Sequence, residues 1–395
     1  MQEVIDKTNR YLFNTYRRAP IVLTRGKGST VWDSNGKEYL DLVSGIAVLN
    51  VGHLNPGVIE TIHRQSELLM HVSNLFYSEP QAALAELLVD NSFADKVFFC
   101  NSGAEANEAA IKLARKHSHD RGQTGRFEII TMEGSFHGRT MAALSATGQE
   151  KFHRGFEPML SGFRYVRFDD AGALEKAVTT ATCAVMLEPI QGEGGVNCPS
   201  PDYLKQVRRI CDRADLLLIF DEVQVGMGRT GKLFAYQHYG IEPDIMTLAK
   251  GLGGGIPIGA MLGTDKIASS FSPGTHASTF GGNPLSTAAG VATLNILLKD
   301  GFLETCDKRG RYFFDGLTAL NKKHPVITNV RGKGLILAME LAREGAAVVT
   351  RCMEQGVLIN CTMDRVLRFI PPLTITGGEI DTALKALDHS LSAIA

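Results

Sequence analysis

Asp215-Leu216-Leu217-Leu218-Ile219-Phe220-Asp221-Glu222 sets five consecutive apolar residues between acidic ends. A run so short and so uniformly apolar reads as a strand buried on both faces, the kind found in parallel sheets covered by helices. Similar runs lie outward of it at 97–100, 127–132, 183–189, 245–250 and 257–263, with helical periodicity between several of them, as at 106–117 and 202–214. The alternation predicts an α/β domain with a mostly parallel mixed sheet between helices. Ligands of such sheets sit beyond the carboxyl ends of the strands. Past residue 285 helical stretches at 288–298 and 308–322 precede β-rich pieces at 327–331, 334–339 and 366–370, and a final helix runs from 378 towards 395. Three units are therefore expected: a large domain over 51–285, a smaller α/β domain over 286–395, and residues 1–50. The last, with a hairpin turning at Asn35-Gly36, is too short to fold alone and is expected to pack with the smaller domain.

The 395 residues are 44% hydrophobic and 21% charged, enough chain for the cores of two domains. With 41 basic and 42 acidic residues the net charge is −1, and neither sign forms a long run. That excludes the electrostatic footprint of a nucleic-acid or anionic-membrane binder. Seven cysteines without a Cys-x-x-Cys pair suggest neither a disulfide framework nor zinc, and the eleven histidines contain no His-x-x-x-His pattern. No metal is expected. Residues 1–7 lack a signal-peptide core and no apolar stretch reaches membrane-spanning length, so the expected compartment is a reducing cytoplasm.

Lys250 follows the apolar run Ile245, Met246, Thr247, Leu248 and opens Lys250-Gly251-Leu252-Gly253-Gly254-Gly255. Where a buried strand yields to a glycine turn, desolvation depresses a lysine's pKa and makes its amine nucleophilic towards carbonyls. Asp221, 29 residues upstream at the end of the opening strand, is placed to hold a protonated pyridine nitrogen. One group for an aldehyde and one for a ring nitrogen is the pairing that pyridoxal phosphate (PLP) requires. Taken singly, each has a plain alternative as a solvated loop lysine or a turn acid.

Four further segments carry candidate chemistry, the first three of them at strand ends. Cys100-Asn101-Ser102-Gly103-Ala104-Glu105 opens a helix, with Ser102 and Glu105 at capping-box spacing and bare amides at Gly103 and Ala104. This is a seat for phosphate or an ordinary helix cap. Gly134-Ser135-Phe136-His137-Gly138-Arg139 offers Phe136 to stack on a planar ring and Arg139 to fork onto a carboxylate; core filler and a surface ion pair are the alternatives. Glu188-Pro189-Ile190-Gln191-Gly192-Glu193 carries a structural acid and a mobile one, or two turn acids. Finally, Ser278-Thr279-Phe280-Gly281-Gly282 is a hydroxyl and glycine loop suited to phosphate.

Together these segments resemble the class III PLP-dependent aminotransferases of fold type I and, among them, the acetylornithine aminotransferases. The resemblance runs from Tyr16 and Arg25-Gly26-Lys27-Gly28 through Val43-Ser44-Gly45-Ile46-Ala47-Val48 to Arg368-Phe369-Ile370-Pro371-Pro372-Leu373. It departs at Asn55 and Met227, outside the expected site. The resemblance implies that Lys250 bonds to the cofactor aldehyde and shuttles a proton, and that Asp221 pairs with the ring nitrogen. It gives Gln224 the phenolic oxygen, Val223 and Phe136 the ring faces, and Ser102, Gly103 and Ala104 the phosphate, with Glu222 also at the cofactor. Thr279 and Ser278 would come from a neighbouring subunit, making the active unit a homodimer with shared sites. Arg139 would hold the substrate carboxylate, with Tyr16 nearby in the substrate site, and Glu193 would pair with Arg368 until a dicarboxylate enters. The implied reaction is acetylornithine:2-oxoglutarate transamination in arginine biosynthesis, ping-pong through pyridoxamine phosphate. Ornithine, succinylornithine, succinyldiaminopimelate or 4-aminobutyrate as donor, or a non-transaminase of the same fold such as an aminomutase, would use the same machinery.

Overall fold

The structure, a computed structural model, describes residues 1–393. Three strands lie near the N-terminus: Leu23–Lys27 (β1), Thr30–Asp33 (β2) and Glu38–Asp41 (β3). The central sheet is built from Lys96–Cys100 (β4), Glu128–Met132 (β5), Phe163–Val166 (β6), Thr182–Leu187 (β7), Leu217–Asp221 (β8), Ile245–Leu248 (β9) and Gly259–Gly263 (β10). Its order is β4-β10-β9-β8-β7-β5-β6. The five strands from β9 to β6 run parallel, while β10 is antiparallel to both β9 and β4. Every residue of β7, β8, β9 and β10 is buried, which is why these strands show no polar alternation.

Helices Gly103–Asp120 and Tyr203–Ala214 cover the sheet. The first buries Ala106, Ala109, Ala110, Leu113, Ala114 and His117 at three- and four-residue spacing, and its small alanines allow a close approach to the strands. The second ends where Asp215 turns left-handed at φ 51°, ψ 51°, with the Leu216 amide bonded back to the Cys211 carbonyl at 2.9 Å. Asp215 therefore caps a helix and the strand begins at Leu217, one residue after the apolar run starts.

In the C-terminal part the strands are Ile327–Lys333 (β11), Ile336–Leu341 (β12), Val357–Leu358 (β13), Asn360–Thr362 (β14) and Val366–Phe369 (β15). β11, β12, β15 and β14 form an antiparallel sheet in that order. β13 instead pairs in parallel with β3, so the two ends of the chain share the sheet β1-β2-β3-β13. Helix Phe302–Lys323 starts six residues before its expected position, and the last helix is Gly377–Ser392, the expected residues 394–395 lying outside those described.

After β3 comes a turn no periodicity announces. Ser44, Gly45, Ile46 and Ala47 all have positive φ, at 47°, 66°, 65° and 61°. A left-handed backbone costs residues with a Cβ roughly 1–2 kcal/mol each, so other contacts must hold this turn. Among the described residues no helix is long and apolar enough to cross a membrane, no cluster of three or more His, Cys, Asp or Glu could hold a metal, and all seven cysteines are free.

Candidate active site

Beyond the carboxyl ends of β4, β5, β7, β8 and β9 lies a cavity of about 420 Å³. Asp221, the last residue of β8, is 3% exposed and held by three partners. Its Oδ1 accepts from the Val223 amide at 3.0 Å, and its Oδ2 from Asn107 Nδ2 at 2.7 Å and His137 Nδ1 at 2.7 Å. Asn107 is itself fixed, donating to the His137 carbonyl at 2.7 Å and accepting from Thr247 Oγ1 at 2.7 Å. A carboxylate so tied to three elements keeps its direction. Its Oδ1 retains a lone pair for a ligand donor.

Lys250 leaves β9 in the left-handed region at φ 43°, a strain that persists only where the surroundings impose it. Its side chain is partly accessible through the cavity, yet the enclosing protein atoms depress its pKa by burial, aided by Arg368 and opposed by Glu193. Neutral amine is thus available at a lower pH than an ordinary lysine needs.

Glu193 Oε1 meets Arg368 Nη1 at 3.0 Å, and the same Nη1 donates to Gln224 Oε1 at 3.1 Å. Burial alone would raise the Glu193 carboxyl; Arg368 and Lys250 outweigh it and hold the pKa low. Thr362 Oγ1 ties the Glu193 carbonyl to β14 at 2.5 Å. At Gly192 a Cβ would sit 2.0 Å from Gln224 Oε1, so a side chain here would displace the Gln224 amide. Glu188 accepts from the Phe136 and Gly192 amides, each at 3.0 Å, and burial, with help from Asp221 and against His137, pushes it up to about 7.

Ser102 caps helix Gly103–Asp120 through the Glu105 amide at 3.2 Å, while Glu105 Oε2 reaches back to the Asn101 amide at 2.7 Å. A Cβ on Gly103 would lie 2.6 Å from Val223 Cγ1. The bare backbone there forms a cradle open to an anion at the helix N-terminus. Phe136 lines the cavity, and the Arg139 guanidinium stands 5.0 Å from its ring centre and 4.1 Å from that of Phe152.

Ten expected residues therefore meet at one cavity: Ser102, Gly103, Ala104, Phe136, Arg139, Glu193, Asp221, Val223, Gln224 and Lys250. Arg368, 1% exposed, reaches it through Glu193 and Gln224. Others do not converge. Glu222 turns away, its carboxylate accepting from the Ala235 amide at 2.6 Å and the Tyr236 amide at 2.7 Å; it organises the next loop and does not face the cavity. Tyr16 is 70% exposed in the N-terminal segment, beside Arg18. Thr279 is exposed and lines a separate surface hollow, and Ser278 Oγ accepts from its own chain's Asn101 at 3.3 Å. Sequence reasoning assigned no role to Asn107 or His137. The one available signal for Asn107 was a polar residue on the otherwise alanine-rich buried face of its helix.

A half-enclosed amine with a depressed pKa, an oriented buried carboxylate and an anion cradle lining one cavity fit PLP group by group, which defines a PLP-dependent enzyme. The family model Aminotransferase class-III matches residues 11–391. An acetylornithine aminotransferase from Caldanaerobacter subterraneus subsp. tengcongensis is 56% identical over 392 residues, covering 99% of this chain and 100% of its own length. One from Methanocaldococcus jannaschii is 50% identical over 394 residues, covering 99% and 98%. Among solved structures, the ornithine aminotransferase of Toxoplasma gondii superposes with a TM-score of 0.96 at 37% identity, covering 100% of this chain and 95% of that one. The N-acetylornithine aminotransferase of Stenotrophomonas maltophilia gives 0.86 at 40%, with 99% of each chain covered. The chain belongs to the class III aminotransferases, enzymes that use PLP to move an amino group from a donor to an oxo acid.

Proposed function

We propose that this enzyme transfers the δ-amino group of N2-acetyl-L-ornithine to 2-oxoglutarate. The observation that carries the reading is the Glu193–Arg368 pair beside Lys250, within a chain closely similar to acetylornithine aminotransferases along its whole length. While the donor occupies the cavity, Glu193 neutralises Arg368, so an uncharged distal chain meets no bare guanidinium. When a dicarboxylate enters, its second carboxylate takes the place of Glu193 on Arg368, with a charge-assisted bond of the same kind. One site thereby admits two unlike substrates in turn.

The remaining roles follow from position. Lys250 holds the cofactor and then moves a proton at the amino-bearing carbon. Asp221 holds the ring nitrogen, Gly103 and Ala104 the phosphate, Val223 and Phe136 the ring faces, and Arg139 the donor carboxylate. The bound cofactor supplies the electron sink that makes that carbon acidic. Asp221, Glu188 and Glu193 are all engaged by protein donors, so a free δ-ammonium finds no unpaired carboxylate among the lining residues. That favours the acylated donor over ornithine.

The active unit is a homodimer. Leu75, Phe76, Tyr77 and Phe280 are 85%, 64%, 105% and 61% exposed, and this apolar face adjoins the hollow lined by Thr279. A face of that size on a soluble chain is covered by a partner, and a second copy there brings Thr279 towards the partner's phosphate cradle. A cytoplasmic location suits seven free cysteines, five of them buried.

A panel of ω-amino donors with 2-oxoglutarate tests the assignment: acetylornithine gives the highest kcat/KM, and Lys250→Ala turns over none of them. Higher kcat/KM for ornithine transfers the assignment to that donor.

A further inference from the structure

The left-handed turn Ser44–Ala47 is held from several directions. Asp41 Oδ1 accepts from the Val43 and Ser44 amides, each at 2.9 Å, and Asp41 Oδ2 lies 2.8 Å from His53 Nε2. Ser44 Oγ donates to the Ile370 carbonyl at 2.6 Å. Gly26 packs flat on the His53 ring, where a Cβ would come within 2.7 Å of Nδ1. Within the turn the Ile46 and Ala47 amides bond to the Val43 carbonyl, and the Val48 and Leu49 amides to that of Ser44. Asp41 is 5% exposed and spends its carboxylate wholly on this clamp.

What the turn delivers is a part of the cavity wall. Val48 lines the cavity, Leu49 abuts Gly255, and the Asn50 side-chain amide lies where a Cβ on Gly251, next to Lys250, would sit 2.3 Å away. Ile46, β-branched and 41% exposed, holds its left-handed conformation with little burial to compensate. Strain at such a place persists because surrounding bonds impose it, and it is released when they are cut.

We propose that Asp41, together with His53, is a positioning residue for the amino donor: it clamps the strained turn so that Val48 closes the cavity beside Lys250. The proposal rests on the reading of this cavity as the donor site. Asp41 touches neither donor nor cofactor, and its influence passes through the turn alone.

The test uses the holoenzyme, with each variant compared with wild type on whichever donor wild type turns over best; absence of transamination by wild type would instead refute the functional assignment. Asp41→Ala is expected to raise the donor KM by about tenfold with kcat within about threefold, the split expected when binding geometry alone is lost. Hydrogen exchange over residues 42–50 speeds up, and the affinity of the apo protein for PLP stays within about threefold. Ile46→Gly, which adopts the turn without strain, leaves wild-type KM nearly unchanged and recovers most of the loss when added to Asp41→Ala. His53→Ala, cutting the outer half only, raises KM by about threefold and serves if Asp41→Ala does not fold. Unchanged KM in the Asp41 and His53 variants overturns the proposal. So does a joint fall of kcat, PLP affinity and melting temperature that Ile46→Gly does not relieve, since that marks a purely structural role.

Discussion

Lys250 and Glu193 form an electrostatic pair whose consequences can be titrated. Burial depresses the lysine pKa and Glu193 partly restores it. The neutral amine is the reactive form, so PLP uptake by the apo protein rises with pH and levels off below the pH where an ordinary lysine would. Glu193→Gln removes the restoring charge and moves the plateau to still lower pH. An unchanged plateau would show that Glu193 does not act on the amine. At this scale the sequence was informative wherever a side chain's direction followed from its strand. Asp221 ends a buried strand and faces the ligand; Glu222, one residue on, points to the opposite side by the alternation of extended chain and serves the Ala235 and Tyr236 amides. Asn107 and His137 were illegible because their role is a meeting of three elements at one carboxylate.

Helix Gly103–Asp120 shows how an element sets the site. Its first residue must lack a side chain because Val223 occupies the space. Gly103→Ala is expected to displace Val223 and weaken PLP binding by about tenfold, equivalent to about 1.4 kcal/mol. Alanine also favours the helix, so the melting temperature should hold or rise; spectrophotometric PLP titration beside a thermal melt checks both. Unchanged affinity would mean that Val223 yields freely. The central strands could be read in advance from uniform apolarity. Two features could not: the antiparallel insertion of β10, since strand direction leaves no mark on composition, and the left-handed turn at Ser44–Ala47, whose backbone is imposed by Asp41 and Ile370 from other elements.

Across the whole molecule, the face carrying Leu75, Phe76, Tyr77 and Phe280 is where a second copy is expected. Placing charges there by Leu75→Asp with Phe76→Glu should convert dimer to monomer in sedimentation velocity, with activity lost alongside because Thr279 no longer reaches the partner's cradle. A variant that remains dimeric moves the interface elsewhere. The pairing of β3 with β13 has a different kind of consequence. Leu40 and Val357 are neighbours in one sheet although more than 300 residues separate them. At about 5–20 residues per second, a ribosome leaves β3 without its partner for roughly 15–60 s. β3, which leads into the clamped turn, is therefore made long before its sheet partner, and a chain released before residue 357 carries an open β edge.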